Sequence, residues 1–205
     1  MKRMTLIISL LGFLLLPGLA GSAQAARHVA YVGDNLWLGS YNVSIPLSDT
    51  KDYIGQTSWL GFTVEARHFL KPNATVGLLT GWTTIYNKSY RVSQTGSTTV
   101  SGVQARYLNI FPLLANGYFY FGDRDTPSFY LGGGVGTYWI ERRTEVGLYA
   151  FTENDWHFGV APEIGIAFPH GRTSIVLSAR YNHAFAAGSV NQQSWLSLGL
   201  GFQLN

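Results

Sequence analysis

The stretch Leu196-Ser197-Leu198-Gly199-Leu200-Gly201-Phe202-Gln203-Leu204-Asn205 alternates large apolar residues with small or polar ones at every step. A period of two belongs to a β-strand with one apolar face, because successive Cβ atoms point to opposite sides of a sheet. The same period runs through Ser174 to Asn182, where Ile175, Leu177, Ala179 and Tyr181 share a face. It recurs in Phe129 to Trp139, where Phe129, Leu131, Val135 and Trp139 do. No segment shows a convincing helical spacing. Working outward, segments at 36–47, 58–69, 74–93, 98–121, 127–141, 155–168, 173–184 and 194–204 predict eight strands. Short links at Lys71-Pro72-Asn73, Gly122 to Thr126 and Pro169 to Arg172 alternate with longer connections at 48–57, 142–154 and 185–193 and with a hairpin tip at 93–98. Short turns on one side and long loops on the other predict an all-β, eight-stranded antiparallel up-and-down transmembrane β-barrel.

Alternation alone does not say which face points outward, since a soluble ligand-binding barrel has the same period with its faces reversed. The polar face decides. A wet face is rich in Lys and Glu, whereas residues 26–205 hold only Lys51, Lys71 and Lys88, all near loops or turns. The polar face carries Gly, Ser, Thr, Asn and Gln instead, which suits a tight interior. Trp82, Trp139 and Trp156 fall near the long-loop ends of strands, and Phe69, Phe121, Phe129, Phe168 and Phe202 near the short-turn ends. Two aromatic bands flanking an apolar waist read as membrane-interface girdles.

Composition closes off other classes. Of 205 residues, 46% are hydrophobic, 15% aromatic and 12% charged, which excludes disorder, and the absence of cysteine excludes a disulfide-stapled domain and a zinc finger. Lys2 and Arg3, the apolar run Leu6 to Leu16 and the small-residue site Ala23-Gln24-Ala25 mark residues 1–25 as a signal peptide, leaving 26–205 as the barrel domain. Without Lys2 and Arg3 the formal charge falls from +3 to +1, so nothing points to nucleic acid.

Parity places Glu65, Arg67, Arg106, Asn116, Glu163 and Arg180 on the inner faces, with Tyr118, Tyr120, Tyr130 and Tyr138 beside them. An eight-stranded barrel is just wide enough for side chains to fill, so opposite charges can pair across it. The expectation is a plugged lumen, with the protein acting structurally or through its extracellular loops. The alternatives are a small-solute or hydrophobic-molecule channel lined by Glu65, Arg67, Glu163 and Arg180, and, third, a lipid-modifying enzyme. The glycines of Gly132-Gly133-Gly134-Val135-Gly136 make room for bulky neighbours, since no Lys-Ser/Thr follows to make a phosphate loop. His28, His68, His157, His170 and His183 lack metal-ligand spacing, so neither a metal nor a cofactor is expected. Lipid A deacylases carry His and Ser two apart on one strand face; His183 has Phe185 at that place and only Ser189 further on, so no catalytic residue is assigned. Pro112 and Pro162 lie inside strands and predict a bulge at each. Trp59 and Trp195, on the inward parity, predict loop-rim positions. Strand three from Thr75 to Ser93 is about 63 Å long at ~3.3 Å per residue and rises about 44 Å at a tilt of ~45°, so its hairpin stands some 20 Å above an apolar band ~25 Å tall. Such a ribbon suits an extracellular protein partner, or is simply a solvated loop without one.

Val64-Glu65-Ala66-Arg67-His68-Phe69, Tyr130 to Gly136, Ala161-Pro162-Glu163-Ile164-Gly165, Arg180-Tyr181 and Leu198-Gly199-Leu200-Gly201-Phe202 together resemble the small outer-membrane β-barrels of Gram-negative bacteria, of the OmpA/OmpX and opacity-protein type. The resemblance implies residence in the outer membrane among its lipid and lipopolysaccharide, insertion by the barrel assembly machinery, and roles from structural stability to adhesion; a monomer is expected. Members commonly end in an aromatic residue; here the corresponding aromatic is Phe202, three residues in.

Overall fold

A computed structural model describes residues 33–95, 98–122, 126–146, 149–171, 173–188 and 190–204. The segment expected to be a signal peptide, His28 and Ser189 lie outside them. The strands are β1 (Asn35–Leu47), β2 (Leu60–Lys71), β3 (Ala74–Thr95), β4 (Thr98–Phe121), β5 (Ser128–Val146), β6 (Tyr149–His170), β7 (Thr173–Ala184) and β8 (Gln193–Leu204). Each pairs antiparallel with its chain neighbours, and β1 closes on β8 from Trp37 opposite Leu204 to Leu47 opposite Ser194. No strand edge is left open at membrane level, as a hydrocarbon environment requires.

The pleat sorts side chains as the alternation requires, with the apolar face outward. On β3, Leu78 is 63% exposed; on neighbouring β2, inward Glu65 is 1% exposed. Leu198, Leu200, Phe202 and Leu204 are exposed, while Ser197 and Gln203 are buried. The exterior is therefore the apolar surface and the lumen the polar one, the reverse of a water-soluble barrel.

The strands fall into two lengths. β1, β2, β7 and β8 have 12 or 13 residues, whereas β3, β4, β5 and β6 have 22, 24, 19 and 22. The β3–β4 hairpin stands beyond the girdle as expected, its pairing reaching Thr95 opposite Thr98. The β5–β6 hairpin does the same, pairing out to Val146 opposite Tyr149, where the sequence suggested a loop over 142–154. Above the membrane both faces of a strand are wet, so the apolar half of the alternation disappears while the ladder continues.

Three further expectations are corrected. Neither Pro112 nor Pro162 causes a bulge: the β3–β4 ladder passes from Thr80 opposite Leu113 to Thr83 opposite Ile110, and β6–β7 from Val160 opposite His183 to Glu163 opposite Arg180, both without a change of register. Each proline turns its missing donor to the side where the ladder skips and sits opposite Tyr138 or Gly133 on the other side. The register shift falls instead between Phe69 and Lys71. Trp195 is no rim residue but is buried in the lumen, whereas Trp59 is exposed in the connection just before β2, at the rim where its expectation put it. The 48–57 connection contains a short helix, α1 (Ser48–Tyr53), entered through Ser48 at φ 44.

Candidate functional site: a sealed lumen

Four charged side chains from three strands meet inside the barrel. Glu65 and Arg67 stand two apart on β2 and so share a face; Glu163 on β6 lies opposite Arg180 of β7 in the ladder. Arg67 Nη2 lies 2.8 Å from Glu65 Oε2 and 3.7 Å from Glu163 Oε1. Arg180 donates through Nε to Glu163 Oε2 at 2.6 Å, pairs with the same oxygen through Nη2, and reaches Glu65 Oε2 at 3.8 Å. Each guanidinium thus holds a carboxylate near it and one across the lumen. Two positive and two negative charges leave the cluster neutral, the condition under which buried charge is tolerated.

The remaining lone pairs are taken by neighbours. Asn116 Nδ2 donates to Glu65 Oε1 at 2.7 Å, Tyr130 Oη to Glu163 Oε1 at 2.8 Å, and Tyr118 Oη to Glu163 Oε2 at 3.1 Å. Arg67 Nη1 donates to Tyr120 Oη at 2.7 Å, and its guanidinium lies 3.8 Å from the centre of the Tyr118 ring. The tyrosines fit because glycines face them. A Cβ on Gly165 would overlap the Tyr130 ring, and one on Gly159 the Tyr138 ring.

Above the charges lies a polar layer, where Tyr138 Oη donates to Asn182 Oδ1 at 3.2 Å and Asn182 Nδ2 to Ser197 Oγ at 3.1 Å. Next comes an apolar layer of Ile54, Leu79, Ile85, Leu108, Ile110 and Ile140, with Trp195 set edge-on against Tyr138 at 5.3 Å. The void between these layers is about 20 Å³, space for one water and no more. α1 caps the mouth. Thr50 Oγ1 donates to Gln193 Oε1 at 3.0 Å and accepts from Ser194 N at 2.8 Å, while Tyr53 is clamped by three groups. Arg106 Nη1 donates to its carbonyl at 2.8 Å, the Arg142 guanidinium lies 4.0 Å from its ring centre, and its hydroxyl meets Thr144 Oγ1 at 2.9 Å.

Of the six residues expected in the interior cluster, Glu65, Arg67, Asn116, Glu163 and Arg180 come together. Arg106 does not: ten residues before Asn116 on an extended strand it stands about 33 Å away, at the mouth against Tyr53. Among the expected girdle aromatics, Trp82 and Trp139 pack at 6.1 Å, and Trp156, Phe121, Phe129, Phe168 and Phe202 are exposed on the outer wall. Phe69 is the exception. It keeps the inward parity of Glu65 and Arg67, is buried, and packs on Tyr120 at 5.9 Å as part of the floor.

The sequence reading missed the helical cap and the partner of His183. α1 carried a faint signal, Asp49 in its first turn and Lys51 in its last, but six residues are too few for a helical period. His183 Nδ1 lies 2.8 Å from Ser194 Oγ, a pair made across β7 and β8 and invisible to spacing along one strand. Among the described residues no three His, Cys, Asp or Glu side chains are grouped to hold a metal.

No family model and no curated protein matches the chain. Solved structures do. Ail, the attachment invasion locus protein of Yersinia pestis, matches with a TM-score of 0.52 at 15% identity, covering 85% of this chain and 100% of its own. Neisserial surface protein A matches at 0.51 with 12% identity, covering 83% and 95%, and the outer membrane protein OprG of Pseudomonas aeruginosa at 0.50 with 11%, covering 86% and 97%. The fold is that of the small Gram-negative outer-membrane barrels, and the apolar exterior agrees with that place.

Proposed function

Starting from an outer-membrane barrel, we propose that this protein does its work at the cell surface through the extracellular sheet of β3 to β6 and not by conducting solutes. The observation that carries this is the closure of the lumen at successive levels, by the Glu65–Arg67–Glu163–Arg180 cluster, the apolar layer around Trp195, and α1 under its Tyr53 clamp. The sheet supports it from outside. Beyond Thr84 the β2–β3 ladder ends, and from Gly159 toward Tyr149 the β6–β7 ladder ends, so two strand edges rise without a neighbouring strand among the described residues. Tyr149 and Phe151, on the ribbon above Trp139 and Trp156, are 74% and 64% exposed, and exposed aromatics above the membrane suit partner contact. Attachment is also the role carried in the name of the Yersinia pestis barrel. In this reading the chain is exported after cleavage behind Ala25, inserted by the barrel assembly machinery, and works as a monomer among outer-membrane lipid and lipopolysaccharide, with an extracellular protein partner and no catalysis.

Single-channel recording of the refolded protein in a planar bilayer tests the sealed lumen. A folded barrel is expected to stay silent. Steady, reproducible openings would replace the surface reading with a channel lined by Glu65, Arg67, Glu163 and Arg180.

A further inference from the structure

The outer wall of β1 to β4 is not uniformly convex. Trp37, Ala66, Leu78 and Ala115 form one outward row across the four strands, and the row nearer the short turns runs Asn35, His68, Val76. Two alanines beside Leu78 leave a groove of about 460 Å³, walled by Trp37, Leu78 and Val76, within the ~300–1,000 Å³ of ligand pockets. It faces the hydrocarbon, so what fills it is an acyl chain.

At its short-turn, periplasmic end the apolar lining stops at a polar pair, His68 Nδ1 and Asn35 Oδ1, 2.9 Å apart. An amide oxygen only accepts, so in the neutral ring Nδ1 carries the proton. That leaves Nε2 as an acceptor and Asn35 Nδ2 as a donor at head-group level. An ammonium and a phosphate, carried on one lipid, answer those two groups. A second outer groove, about 520 Å³ among Phe129, Leu131, Ile164 and Leu177, has no such histidine–amide pair among its described lining residues.

From this we infer that the groove over β1 to β4 is a binding site for one zwitterionic glycerophospholipid of the periplasmic leaflet, its acyl chain over Ala66 and Ala115 and its head group on Asn35 and His68. The site depends on the barrel's place in the membrane and not on the surface reading above, so conductance or partner binding does not bear on it.

Native mass spectrometry of the refolded protein, in micelles holding equal phosphatidylethanolamine and phosphatidylglycerol of the same chains, tests it. The expected result is one retained lipid with about a fivefold or greater preference for phosphatidylethanolamine, the ratio a single hydrogen bond supplies. Ala66→Leu with Ala115→Leu fills the groove and should abolish retention; Asn35→Ala with His68→Ala should keep a lipid but lose the preference. No retained lipid, retention undiminished by the leucines, or a preference that survives loss of Asn35 and His68 would each overturn the site. Heat-dependent gel mobility confirms folding of each variant. If the leucine pair does not fold, a photoactivatable phosphatidylethanolamine decides: labelling must fall on Trp37 or Leu78, and labelling confined to the Phe129 groove counts against it.

Discussion

The membrane half of this barrel and the sheet above it are made by the same strands under different rules. Within the membrane the ladder is closed, every strand has an apolar and a polar face, and the inside is filled by charges held in pairs. Above it, β3 to β6 continue as a sheet, two of its edges have no neighbouring strand among the described residues, and Tyr149 and Phe151 stand exposed. Stability belongs to the first region and availability for contact to the second, because an unpaired charge is costly in a protein interior whereas a wet ribbon satisfies its polar groups with water.

Removing one partner of the charge cluster should have the largest effect. Glu163→Gln leaves Arg180 without its nearest carboxylate, and a loss of about 3–5 kcal/mol is expected, seen in the urea midpoint of the refolded barrel. An unchanged midpoint would show that the cluster does not hold the barrel together. Replacing the pair, with Glu163→Gln and Arg180→Met, should recover a good part of that loss, and a double-mutant cycle measures the coupling directly.

Packing comes next. Gly165→Ala sets a methyl into the Tyr130 ring and should cost about 1–3 kcal/mol, whereas adding Tyr130→Leu should relieve it. If Gly165→Ala is neutral alone, the tyrosine is not seated where the packing places it. At the mouth, Tyr53→Phe loses one hydroxyl contact with Thr144, worth about 0.5–1.5 kcal/mol, and leaves the two arginine contacts in place. The expected reading is a small midpoint shift with no conductance; channel openings would mean that this one contact keeps the cap shut.

The extracellular sheet should be the least sensitive. Tyr149→Ser with Phe151→Ser is expected to change stability by no more than about 0.5 kcal/mol while reducing adhesion of expressing cells to a protein-coated surface. A large stability loss would mean that these rings pack as part of the fold, and the contrast between the two regions would fail.

How far the sequence could be read follows the same division. Leu196 to Asn205 declares its strand because hydrocarbon on one side and a packed lumen on the other make each residue choose a face. Residues 142–154 make no such choice, since they rise beyond the hydrocarbon and their inward side chains Arg142 and Thr144 meet the polar cap at Tyr53, so their sequence resembles a loop although they pair as strands. Phe69 has the parity of the lumen, although its nearness to the turn suggests the girdle; the register shift comes after it, not before. Arg106 shares its parity with Asn116, but parity carries no height along the barrel.

The period of two, the scarcity of lysine and the spacing of turns were enough to determine an eight-stranded membrane barrel and to bring Glu65, Arg67, Asn116, Glu163 and Arg180 to its inner wall. Those are local properties, fixed by which way each successive Cβ points. Only the closed structure decided that Arg67 reaches Glu163 across the lumen, that His183 meets Ser194, and that α1 folds over the mouth. These contacts join residues far apart in the chain, and it is ring closure and strand register, not spacing along any strand, that bring them together.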